Sequence, residues 1–303
     1  MSHTNSLHAT SATPLFPHKI TPLIKTKLAE PAIANQFVEP EQTATAGTPA
    51  FEYDAVADNQ YLVHQGIIRK YRNRILLIAN SHCAVHCRYC FRQHFDYQQQ
   101  TFDPQDMPVL VNYLHEHPEI DEVILSGGDP LTLNNARLQA LLACLNQCAG
   151  VKRLRIHSRV LSVLPERLND GLLSILQAHS QKLILVTHIN HASELLPEVA
   201  DAIAKVKQSG ITLLNQSVLL RGVNDNARIL RELSEGIFAL GIMPYYLNLL
   251  DRVKGAERFY VADEEALAIY RELAASTSGY LVPKLVRDAG EDCFKRIIGL
   301  NSL

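Results

Sequence analysis

The sequence has no apolar run approaching the roughly 20 residues that a membrane-spanning helix needs, so no membrane role is expected. It does not open on a basic segment followed by an apolar core, which argues against a secretory leader and for the cytoplasm. Charge of one sign is not in excess. With 29 Lys and Arg against 31 Asp and Glu the net charge is −2, and no long-range field points to nucleic acid. Cysteine is scarce: six in 303 residues are too few for a disulfide scaffold. In a reducing compartment such thiols serve as core residues, ligands or nucleophiles. Internal repeats and low-complexity tracts are also lacking. What remains is an ordinary enzyme composition, 47% hydrophobic and 20% charged, long enough for one large domain with an appendage.

Residues 1–67 read as an N-terminal extension, partly helical, that wraps the main domain. From there the texture changes. Short apolar runs, several with β-branched residues, recur at Ile75–Ala79, Val123–Leu125, Leu154–Ile156, Leu183–Val186, Leu213–Leu220 and Tyr245–Leu250. Helical spacing follows at Leu138–Leu145, Leu172–Ala178, Val199–Val206 and Ala227–Leu240. Strand-then-helix units in a row imply parallel strands with right-handed crossovers, hence a barrel or a doubly wound sheet. Polar residues cluster at many strand ends: Asn80-Ser-His82, Ser126-Gly-Gly-Asp129, His157-Ser-Arg159, Thr187-His188 and Gln216-Ser217. That distribution favours a barrel, whose site draws on several strands, over a sheet with one switch point. The expected fold is α/β, a partial (β/α)6 TIM-like barrel over 68–260, with a C-terminal helix and segment at 261–303.

Three of the six cysteines lie within eight residues, as Cys83-Ala-Val-His-Cys87-Arg-Tyr-Cys90, in the loop after the first strand. Thiolates suit iron–sulfur clusters and zinc. Three sulfurs around a cubane leave the fourth iron open to a ligand. The alternative is a zinc loop in a non-catalytic protein, completed by His82 or His86. Cys144 and Cys148, four apart on a predicted helix, read as small buried apolar residues.

The C-x3-C-x2-C loop after the first barrel strand resembles the radical S-adenosylmethionine (SAM) superfamily, and Ser126-Gly127-Gly128-Asp129 resembles its glycine-rich motif. The resemblance narrows to the lysine 2,3-aminomutase family and covers residues 68–295. It rests on Cys83 to Arg92, Ile156-His-Ser-Arg159, Thr187-His-Ile-Asn-His191, Asn215 to Leu220, Gly222-Val-Asn-Asp225 and Met243-Pro-Tyr-Tyr246. His188-Ile-Asn-His191, Leu249 to Gly255 and Gly279 to Lys284 are similar to the branch associated with elongation factor P, and the short C-terminus at Leu303 agrees.

The resemblance implies an isomerase that moves the amino group of L-lysine from Cα to Cβ, giving β-lysine as the (R) isomer. It implies a 4Fe–4S cluster on Cys83, Cys87 and Cys90, with Tyr89 beside it, and SAM held by Ser126, Gly127, Gly128, Asp129, His188 and Gln216. It implies pyridoxal 5′-phosphate bonded to Lys295, with Lys284 as the alternative, and its phosphate met by Lys70, Tyr71, Arg74 and Arg159. The family presents that lysine after a run of glycines, whereas here only Gly290 precedes it, in Gly290-Glu-Asp-Cys-Phe. Arg92 would take the substrate carboxylate, and Asp251 with Asp288 the distal ammonium. The implied partners are a flavodoxin- or ferredoxin-type reductant and a ligase that passes the product to elongation factor P. A different amino acid substrate, a free β-lysine product and the oligomeric state stay open.

Overall fold

The computed structural model describes residues 17–39, 49–179, 181–288 and 294–299. Within the extension, two short helices, α1 (Pro22–Lys25) and α2 (Pro31–Phe37), each begin on a proline. Proline suits that position because the N–H it lacks would have no helical partner there. The hairpin β1 (Leu62–His64) and β2 (Ile67–Ile68) then pairs antiparallel with β3 (Arg74–Asn80).

After β3 the chain alternates. In order come α3 (Tyr97–Gln100), α4 (Met107–Glu116), β4 (Glu122–Gly127), α5 (Asn135–Asn146), β5 (Arg153–Ser158), α6 (Val160–Val163), α7 (Asp170–Gln177) and β6 (Lys182–Thr187). They are followed by α8 (Pro197–Gln208), β7 (Thr212–Val218), α9 (Ala227–Ala239), β8 (Met243–Asn248), α10 (Asp263–Ser276), β9 (Lys284–Arg287) and β10 (Arg296–Ile297).

The strands pair in chain order, and β3 to β9 are all parallel. The six expected units are β3 to β8. A seventh parallel strand, β9, follows α10; only Leu285 and Val286 are apolar there, too short a run to be read as a strand. The sheet ends antiparallel at both edges, on β1–β2 and on β10, and among the described residues those edges do not pair with each other. The architecture is a barrel left open.

Apolar stripes hold the helices outside. In α5, Leu138, Leu141, Leu142 and Leu145 share one buried face at i, i+3, i+4 and i+7. They meet Leu77, Val123, Leu125, Leu154 and Ile156 from the outward faces of the strands in one large core cluster. Each such leucine contributes about 2 kcal/mol by its burial. No helix among the described residues is long and apolar enough to cross a membrane.

The extension builds a smaller apolar cluster of its own. Ile24, Ile33 and Phe37 of α1 and α2 pack with Val85 of the cysteine loop and Val163 of α6. Across the open side of the barrel, Lys70 after β2 pairs with Asp288 after β9. A strap at Glu52 bridges to Val253, with Glu52 N–H donating to the Arg252 carbonyl at 2.8 Å and Lys254 N–H to the Glu52 carbonyl at 2.9 Å.

At the carboxyl ends of β3 and β4 the backbones almost touch. Gly128 N–H donates to the Asn80 carbonyl at 2.7 Å and Asp129 N–H to the His82 carbonyl at 2.7 Å. Gly127 sits at φ 112°, a region that side chains disfavour. A Cβ at Gly128 would lie 2.4 Å from the His82 carbonyl oxygen, with no flexible atom to yield. Gly128→Ala is therefore expected to push the two strand ends apart, at a cost of about 1–3 kcal/mol. Urea denaturation with and without reconstituted iron checks this, and an unchanged midpoint would show that the loops can part freely.

Candidate active site

The strand ends, the cysteine loop and the segment around Lys295 enclose a cavity of about 250 Å³. Every residue expected to bind a cluster, cofactor or substrate lines it, Lys70 and Lys295 included. Lys284, the alternative to Lys295, is exposed and outside it.

The cysteine loop is shaped by local bonds and by the extension. Cys90 N–H donates to the Cys87 carbonyl at 3.2 Å, while His86 N–H meets the Lys19 carbonyl and Arg88 N–H the Gln36 carbonyl, both at 2.9 Å. All three thiols line the cavity. Burial and neighbouring sulfurs push the Cys90 thiol up to about 12, and burial with Asp129 raises Cys83 well above its ordinary value. Ionising this set needs positive charge at its centre, which a bound iron core brings. Among the described residues no three His, Cys, Asp or Glu side chains form a site for a lone metal ion. A tetrahedral zinc would draw three sulfurs onto one point, whereas a cubane takes each on a separate iron. The donor set suits the cluster.

Asp129 is buried and its carboxylate is fully used by the protein. It accepts from Ser158 Oγ and Arg159 N–H at 2.7 Å, from Leu131 N–H at 3.0 Å and from Val160 N–H at 3.2 Å. It buckles the ends of β4 and β5 together, so backbone atoms at Ser126–Gly128 are what this turn presents to a ligand. Even there the Gly127 carbonyl already accepts from Tyr97 Oη at 2.9 Å.

His188 and Gln216 meet inside the cavity at 3.0 Å, Nε2 to Nε2. The Gln216 amide donates, so His188 carries its proton on Nδ1. Burial lowers His188 to about 3 and His157 well below the ordinary imidazole value, with Arg159 and Arg155 respectively the largest charges adding to it. Both rings are neutral at physiological pH.

Tyr71 and Arg74 stack, guanidinium to ring centroid 3.5 Å. Arg74 Nε, Arg155 Nε and His157 Nε2 are buried without a partner, and all three residues line the cavity. The two guanidinium N–H groups are unpaired buried donors that call for an acceptor-rich group, and a phosphate fits. Lys70 and Arg159, expected beside Tyr71 and Arg74, have other partners. Lys70 pairs with Asp288, while Arg159 is drawn to Glu194 and the Cys87 sulfur.

Arg92 is held from two sides: Nε donates to Asp58 at 2.7 Å and Nη1 to Ser126 Oγ at 3.0 Å. Asp58 arrives through Ala57, whose φ of 57° is unusual for a residue with a side chain. Asp251 lies deep in the cavity, and burial pushes it up to about 6, with Lys295 the largest opposing influence. Lys295 Nζ stands 3.6 Å from Asp288 and donates to Asn248 Oδ1 at 3.1 Å. Gly290 to Cys293, the short counterpart of the glycine run, lie outside the described residues.

Sequence reasoning missed Asp58, Gln36 and Glu194. They come from the extension or from loops with no period, and only the folded chain carries them to the site. His157 was visible at a strand end but had been given no role.

Comparisons with known proteins agree with this geometry. The Radical SAM superfamily profile matches residues 77–233. An L-lysine 2,3-aminomutase of Escherichia coli is 46% identical over 252 residues, 83% of this chain and 73% of that protein. One of Haemophilus influenzae is 46% identical over 242 residues, 80% of this chain and 72% of that protein. A solved structure, native anSMEcpe with bound AdoMet, superposes with a TM-score of 0.51 at 12% identity, over 66% of this chain and 58% of that one, a likeness of fold alone. The chain therefore belongs to the lysine 2,3-aminomutase family, isomerases built on the radical SAM fold.

Proposed function

We propose that this protein is a radical SAM, pyridoxal phosphate-dependent aminomutase that converts L-lysine to β-lysine. The observation that carries the reading is one cavity that brings together three thiols, two lysine amines, four arginines and four carboxylates. Cys83, Cys87 and Cys90 would hold the 4Fe–4S cluster, the Ser126–Gly128 backbone with His188 and Gln216 would hold SAM, and Lys295 would bond pyridoxal phosphate. When bound, the cluster and SAM supply one-electron hydrogen abstraction, and pyridoxal phosphate supplies a π-system across which an amino group can migrate.

The chain's own residues do the rest. Arg92, locked by Asp58 and Ser126, presents a fixed guanidinium to a carboxylate. Asp251 and Asp288, both on the cavity wall, would offer negative charge to a distal ammonium. The neutral imidazoles of His157 and His188 accept or donate one hydrogen bond each without adding charge beside a sulfonium. Tyr89, Val218 and Leu250 keep that wall apolar.

The (R) configuration and delivery to an elongation factor P ligase rest on the branch motifs at His188–His191, Leu249–Gly255 and Gly279–Lys284. A low-potential donor of the flavodoxin or ferredoxin type would reduce the cluster, and unpaired thiols suit the cytoplasm. Chiral analysis of the product from free lysine, with arginine and glutamate as rivals, tests substrate and configuration together. Turnover of a rival but not of lysine would sink the reading.

Lys295→Ala is expected to abolish the near-visible absorbance of lysine-bound pyridoxal phosphate while leaving the broad iron–sulfur band intact. Cys87→Ala should do the reverse. Survival of the cofactor band in Lys295→Ala would move the assignment to another amine.

Asp251 makes the pH dependence specific. A bound ammonium favours its ionised form, so lysine capture should be full above about 6 and fall as pH drops through that value. In the free protein the sign is opposite. A carboxyl raised by burial contributes stability below its unfolded value near 4, and loses it as pH rises through 6. Lys295, Asp288, Asp58 and Lys70 set the exact position of that titration. Asp251→Asn should melt higher than the parent above pH 6 and equally below pH 4, while its KM for lysine rises at least tenfold. Parallel melting curves at every pH would show that the carboxyl is not desolvated.

A further inference from the structure

Behind the cysteine loop lies a buried polar knot. Gln36 of α2 and Glu194 are at most 1% exposed. Arg159 sends Nη1 to Cys87 Sγ at 3.3 Å and Nη2 to Gln36 Oε1 at 2.6 Å and Glu194 Oε2 at 3.1 Å. Its guanidinium stands 4.7 Å from the Phe37 ring centroid. Gln36 spends its amide in both directions, Nε2 donating to Glu194 Oε1 at 3.1 Å and to the Ala32 carbonyl at 2.9 Å. Gln36 does not line the cavity.

We propose that Arg159, clamped by Gln36 and Glu194, is a positioning residue that raises the reduction potential of the cluster through Cys87, so that docking of α2 is felt at the iron. The inference rests on the cluster reading above. The step concerned is the transfer of one electron from a low-potential one-electron donor to the oxidised cluster; the donor is oxidised and no bond forms or breaks. The reduced cluster carries one more negative charge, and a cationic N–H on a ligand sulfur stabilises that state more than the oxidised one. Without Gln36, Arg159 keeps only Glu194 as a side-chain oxygen acceptor and is drawn toward it, away from the sulfur.

The experiment is a dithionite titration of the anaerobically reconstituted full chain, followed by the electron paramagnetic resonance of the reduced cluster, with iron and sulfide counted per chain. Arg159→Gln should lower the reduced-to-oxidised ratio at fixed donor potential at least tenfold, about 59 mV for one electron. Gln36→Met, of similar volume, should shift it the same way. The double variant should go no further than Arg159→Gln, because the two act as one unit. If Arg159→Gln holds no cluster, Gln36→Met alone decides. A Gln36→Met protein that melts lower but keeps its potential has lost only packing, and the proposal falls. Independent, additive shifts also overturn it. A parent protein that assembles no cluster removes the cluster reading itself.

Discussion

An unclosed barrel has to finish two edges, and the rest of this structure follows from how it does so. A parallel sheet that stops between β3 and β9 leaves a slot along its length where backbone groups and core would meet water. The β1–β2 hairpin and β10 cover those edges antiparallel. Between them Lys70 and Asp288 cross the slot with charge rather than with a strand. A ladder of hydrogen bonds would have sealed the barrel interior. An ion pair leaves room for a cavity and puts titratable groups on its wall.

The extension also reaches the strand ends. It supplies Asp58 to Arg92 from one side and Gln36 to Arg159 from the other. Both arginines sit close to the cysteine loop, one two residues beyond Cys90 and the other bonded to the Cys87 sulfur. Two cations inside a protein are costly unless each finds an acid, and here both acids come from outside the strands. The extension thus supplies one of the two counter-charges, Asp58, and the loop after β6 supplies the other, Glu194.

The barrel was legible because short apolar runs recurred at strand spacing, as in Ile75–Ala79 and Val123–Leu125, and α5, α7, α8 and α9 carried apolar stripes. The cysteine loop, Gly127–Gly128, His188 and Gln216 were legible because barrel chemistry gathers at strand ends. β9 was not, since Leu285 and Val286 alone make no period. Asp58 was hidden for another reason: its placement depends on a left-handed Ala57 that no propensity signals. Glu194 lies 35 residues from Arg159 and 158 from Gln36, and sequence pattern does not reach that far. Lys70 showed the limit from the opposite direction. Its type and position suggested an anion site, but a nearer carboxylate holds it.

The pairing between the slot and Arg92 has a kinetic consequence. Asp58, Asp251 and Asp288 stand there against Arg92, Lys70 and Lys295, and with Asp251 ionised these six charges cancel. Arg155 and Arg159 are paired with Glu122 and Glu194, and Asp129 balances Arg74 in number, so the lining is close to neutral. The chain as a whole is close to neutral too, at −2. Such a chamber projects little potential into solution, and a small amino acid cation reaching it is guided by collision and then sorted by contact. Added salt would find almost no steering field to screen, so the encounter rate should be nearly independent of ionic strength even though the bound state is held by charge.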